Sequence, residues 1–119
     1  MNKQKPKGEV FEGRSGEMKE SPWLASEDLL GAGDQKVKIL RCHRYKNVEF
    51  DGGRKEETVY ALEFEGKKKQ LVLNSTNRKS LVNLYGGNVK DWCDQEVTLW
   101  VDENVRFAGK RVCGIRIKK

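Results

Sequence analysis

A β-rich domain, five strands with a single helix between the third and the fourth, is what this sequence predicts. Three observations predict it. Apolar and polar side chains alternate in three segments between residues 36 and 74, which is the period of a half-buried strand. Residues 75–86 space their apolar side chains at helical intervals. Two more alternating segments, 96–101 and 111–118, close the chain.

Residues 1–20 have few large apolar side chains and many Lys, Glu and Gly, the composition of a flexible arm. The remainder, 21–119, reads as one domain, since 119 residues suffice for a single ordinary one. Ser21 and Pro22 suit the cap and first position of a helix. Ser26, Glu27, Asp28 and Leu29 form a second short turn, ended by Gly31 to Asp34. With Trp23 and Leu24 offering apolar surface, this segment is expected to be a short helical N-terminal clasp.

The first strand, Lys36 to Tyr45, places Val37 and Ile39 in one phase and Leu40 and Cys42 in the other. A phase change inside a strand predicts a bulge or a sharp coil. Asp51, Gly52 and Gly53 mark a turn. In the second strand, Thr58 to Glu65, the residues Tyr60, Leu62 and Phe64 face inward, with Ala61, Glu63 and Glu65 outward. Gly66 turns the chain into a third strand, Gln70 to Asn74, with Leu71 and Leu73 inward.

Asn74 or Ser75 caps the helix, Leu81, Leu84 and Tyr85 make its stripe with Val82, and Gly86 and Gly87 stop it. Asn88 to Trp92 is a further turn with Trp92 as an anchor. Val97, Leu99 and Val101 point inward from the fourth strand, and Ile115 and Ile117 from the fifth, with Val105 to Gly109 between them. Five strands with a helix after the third is the order of an OB-like barrel, a partly open five-stranded barrel whose helix plugs one end.

The composition excludes several classes. No apolar region follows the basic start Met1 to Lys7, and no apolar run reaches the length of a membrane span. Three cysteines, Cys42, Cys93 and Cys113, are an odd number without close spacing, which reads as reduced thiols in a cytoplasmic protein. The lone histidine, His43, adjoins Cys42, and strand neighbours point to opposite faces, so no metal set is expected. Nucleophile-elbow, Walker and dinucleotide loops are missing, and no strand precedes Gly31 to Gly33 as a phosphate cradle requires. The expectation is a protein without cofactor and without enzymatic activity.

The residues Leu71, Leu73, Asn74, Thr76 and Asn77 recur with Leu84, Tyr85 and Gly86, then Asp91 and Trp92. Val97 to Trp100, Phe107 to Lys110 and Gly114 to Ile117 follow in order, and Ser21, Leu24 and Glu27 to Leu29 precede them. In this the chain resembles a family of small phage- and prophage-encoded proteins of unassigned function, over residues 21–118. The resemblance implies a setting beside replication and recombination genes. It departs from the family pattern at Cys93 and Asp94, where an apolar residue and glycine are usual, so a different loop is expected there.

Charge is uneven. Residues 1–34 hold five Lys/Arg against seven Asp/Glu, whereas residues 35–119 hold nineteen against eleven, a net of +8. A basic domain favours an anionic partner. An OB-type strand binder uses its second and third strands with the loops joining strands 1–2 and 4–5. Here those loops carry Lys46, Arg54 and Lys55, and then Arg106, Lys110 and Arg111, with Lys67, Lys68 and Lys69 in the strand 2–3 turn. Trp100, Tyr45, Phe50 and Phe107 are the aromatic candidates for base stacking, although Trp100 is also placed to be covered by the clasp. The expected partner is single-stranded DNA or RNA. Glu63 and Glu65 on the outer face of strand 2 argue instead for a protein partner in a phage or replication assembly.

Overall fold

The architecture is a computed structural model describing residues 6–13, 15–18, 21–50, 53–107 and 109–119. Of the expected arm, residues 1–5, 14, 19 and 20 lie outside the described residues, as do Asp51 and Gly52 of the expected turn. The strands are β1 (Gln35–Glu49), β2 (Lys55–Phe64), β3 (Leu71–Val72), β4 (Glu96–Phe107) and β5 (Lys110–Lys118). The α-helices are α1 (Ser26–Leu29) and α2 (Ser75–Tyr85), and short 3-10 turns cover Ser15–Met18 and Val89–Trp92. All five strands join one antiparallel sheet in the order β3-β2-β1-β4-β5. Among the described residues no helix is long and apolar enough to cross a membrane.

β1 carries both halves of the sheet. Gln35 to Lys38 pair with β4, and Ile39 to Glu49 pair with β2, with an irregularity between Ile39 and Arg41. This is the bulge that the phase change predicts. The extra residue keeps Val37 and Ile39 buried while Arg41 and His43 turn outward. A second irregularity lies in β4 between Asp102 and Val105. Gly114 faces it, and a Cβ there would sit 3.0 Å from the Val105 side chain.

The sheet is open. β3 is only two residues long, too short to pair along a second neighbour, and no ladder joins it to β5 among the described residues. The fold is thus β-rich as expected, with α2 packed against β5, and among the described residues no ladder closes the sheet into a barrel. Asn74 caps α2 by accepting the Asn77 N–H at 2.8 Å. Gly86, with φ of 89°, ends the helix in a region that favours glycine. Within α2, Asn77 is buried and its Nδ2 donates to the Ile115 carbonyl of β5 at 2.9 Å. The core joins Ile39, Leu62, Phe64, Leu71, Leu81, Trp92, Val97, Leu99, Ile115 and Ile117. Trp92 is the expected anchor, buried with its Nε1 donating to the Gly86 carbonyl at 2.8 Å.

One loop expectation is corrected. Residues 21–25 are not helical: Trp23 bridges Gln70 in parallel, Leu24 N–H donates to the Gln70 carbonyl, and Gln70 N–H donates to the Pro22 carbonyl. The chain just before β3 holds this segment through one parallel bridge, which outweighs the local preference of Ser21 and Pro22 for a helix start. The helical part of the clasp is α1 alone. Asp94 has φ of 66°, the left-handed conformation in which glycine is favoured and Asp is tolerated. In this turn Asp94 N–H donates to the Ile39 carbonyl.

Replacing Asn77 with alanine should cost about 1–3 kcal/mol, because the Ile115 carbonyl is left buried without its donor. Urea denaturation followed by Trp fluorescence measures this. An unchanged midpoint would mean that the α2–β5 bond does not hold the open edge.

Candidate nucleic-acid interface

The ten candidate residues fall into separate places. At the β1–β2 hairpin, Lys46 Nζ donates to Thr58 Oγ1 at 3.2 Å, and the Arg54 guanidinium sits 4.6 Å over the Phe50 ring. Lys55 stands opposite Glu49, and Glu56 and Glu57 follow. Acids thus match the cations of this hairpin.

The strand 2–3 turn is divided. Lys68 is exposed and Lys67 half-buried, whereas Lys69 Nζ lies 3.1 Å from Asp28 Oδ1 with both side chains mostly covered. Asp28 also accepts the Ala25 N–H at 2.8 Å. Lys69 therefore fastens the clasp to the sheet.

The β4–β5 hairpin is different. Arg106, Lys110 and Arg111 are exposed, and residues 104–112 contain no acid. Arg106 and Arg111 are direct cross-strand partners. Like charges in that position repel and cost a sheet roughly 0.2–1 kcal/mol. Among the described residues none of the three makes an ion pair. The Phe107 side chain, expected to stack, lies outside the described residues.

The aromatic candidates are mostly occupied. Trp23 packs edge-on against Tyr45 at 5.3 Å and against Phe50 at 5.9 Å. Tyr45 OH donates to Gln70 Oε1 at 2.8 Å. The clasp thus covers these two rings. Trp100 is half-buried in β4, with Lys118 Nζ 5.8 Å above its ring.

The acids of the outer face are paired. Glu63 Oε1 accepts from His43 Nε2 at 2.8 Å and from Arg41 Nε at 3.1 Å, and Glu65 lies 4.0 Å from Lys38. The His43 hydrogen bond holds the Glu63 carboxyl below its ordinary value. Burial opposes this in part, and the charges of Arg41 and His43 add to the lowering. The sequence reading counted Glu63 but not the cations beside it, because a register one strand away brings them together. Burial, with Cys93 nearby, pushes the Cys42 thiol up. Among the described residues no three His, Cys, Asp or Glu side chains could hold a metal ion.

Sequence reasoning also missed a groove of about 490 Å³ on the opposite face, lined by Tyr60 and Arg78 among others. Tyr60 follows the inward alternation of β2, yet it is 48% exposed because the core ends before it reaches that point of the hairpin. No family model, curated protein or solved structure matches the chain.

Because the folded Glu63 value is depressed, its contribution to stability is complete above the ordinary value of 4.5 and is lost as pH falls through the lower folded value. Wild type should exceed Glu63→Gln in urea midpoint at about pH 6, and the difference should shrink steadily below about pH 4.5. A difference that stays constant down to about pH 3 would place the effect elsewhere than in this carboxylate.

Proposed function

We propose that this chain is a non-enzymatic binding module whose β4–β5 hairpin holds the backbone of single-stranded DNA or RNA. The observation that carries the reading is the facing pair Arg106 and Arg111, exposed, joined by Lys110, with no acid among residues 104–112. A polyanion turns the repulsion within this pair into attraction. The β-rich sheet order with a helix after β3 supports an OB-like reading, in which this hairpin flanks the strand groove. Pairing of Glu63 and Glu65 with cations removes most of the repulsion that the outer face would otherwise offer. The resemblance to phage and prophage proteins suits a place beside replication or recombination machinery.

A second reading, a protein-interaction module of such an assembly, is favoured by one feature. Val10, Phe11 and Met18 are largely exposed ahead of the domain, as side chains that dock into a partner would be.

Fluorescence anisotropy with a strand of about 20 nucleotides should show weak, largely sequence-independent binding. Three to five phosphate contacts give a log–log salt slope of about −2 to −3.5. Lys110→Ala with Arg111→Ala should weaken binding and flatten the slope by about 1.4, whereas removing Lys3, Lys5 and Lys7 should matter less. Absence of binding at low salt and micromolar protein would sink this reading in favour of the protein-interaction one.

A further inference from the structure

Besides the hairpins, the groove under β2 combines features that no part of the fold uses. Its floor is Trp92 with Leu73, one wall is Tyr60 of β2, and the other is the start of α2 with Ser75 and Arg78. Val89, 43% exposed, also lines it. No acid lines it.

Two cations stand at this surface. Arg78 lines the groove, and Arg44 is the direct cross-strand partner of Tyr60. Both are exposed, and among the described residues neither makes an ion pair. Arg41, one pleat away on the other face, is paired with Glu63. A fold that pairs Arg41, Lys69 and Arg116 with carboxylates leaves these two without one.

An exposed tyrosine ring beside free guanidinium groups is the arrangement that stacks a base and neutralises its phosphate. The volume, about 490 Å³, lies within the range of small-ligand pockets and exceeds what one base requires. An apolar peptide would fill the floor but would leave Arg44 and Arg78 unmatched. We propose that this groove takes one nucleotide of a bound single strand, its base on Tyr60 and its phosphate at Arg78 and Arg44. The assignment rests on the nucleic-acid reading and adds to it a base contact that the β4–β5 cations do not supply.

The test compares a base-bearing strand with an abasic backbone of equal length, both by anisotropy. Tyr60→Ala should weaken the base-bearing strand by about 5- to 150-fold and leave the abasic one unchanged. Tyr60→Phe should keep the wild-type affinity, which guards against a folding defect. Arg78→Gln should reduce the salt slope for both strands by about 0.7. A 2-aminopurine base within the strand should be quenched by wild type and Tyr60→Phe and not by Tyr60→Ala.

If Tyr60→Ala leaves the base-bearing strand unchanged, or weakens both strands equally, the groove assignment is wrong while the hairpin reading stands. If wild type binds neither strand, both fall together. Tyr60-dependent binding of a free nucleoside monophosphate without strand binding would overturn the strand as occupant.

Discussion

The bulge at Leu40 is the constraint on which the sheet depends. β1 must present apolar side chains to one core while serving β4 with its first residues and β2 with the rest. Strict alternation from Val37 and Ile39 would carry Arg41 and His43 into that core, where unpaired charge costs several kcal/mol. One inserted residue reverses the phase. Cys42 then packs against the core, and Arg41 and His43 meet Glu63 across the ladder. The ion cluster on the outer face is thus a consequence of the core's requirement.

The open edges are managed by two separate devices. Beside β3 the chain returns as a single parallel bridge at Trp23, where Gln70 acts twice. Its backbone holds Pro22 and Leu24, and its side chain holds the Tyr45 hydroxyl. Val59 and Ala61 face outward beside Tyr45 and His43 yet are buried, so this face is covered and not a free platform. At β5 the helix takes over, through the buried Asn77 and its bond to Ile115. Both devices hydrogen-bond backbone groups that a closed barrel would pair by a β3–β5 ladder.

The same organisation separates structural cations from available ones. Lys69 is committed to Asp28, Arg41 to Glu63 and Arg116 to Asp102. Those at the β4–β5 tip and around Tyr60 have no such partner among the described residues. Net charge alone does not make this distinction, because it counts a cation in a buried pair and a cation facing solvent equally. The charge relevant to an anionic partner is concentrated where the fold spends stability to keep like charges adjacent.

Much of this fold was legible in local periodicity. The alternation of Tyr60, Leu62 and Phe64, the helical spacing of Leu81, Leu84 and Tyr85, the Asn74 cap and the phase change after Ile39 each depend on neighbours a few residues apart. Those neighbours determined strands, helix and bulge by the geometry of the backbone itself. What tertiary structure decided involves residues far apart in the chain. Ser21 and Pro22 carry a helix-start signal, but Gln70 holds the segment through a parallel bridge, and that pairing prevails. Lys67, Lys68 and Lys69 are identical in sequence terms, and only the approach of Asp28 singles out Lys69. Tyr60 obeys the inward alternation, yet its exposure depends on where α2 and Trp92 stop covering β2. Sequence pattern assigns a side chain to a face; burial and charge pairing are settled by whichever distant segment comes to lie on that face.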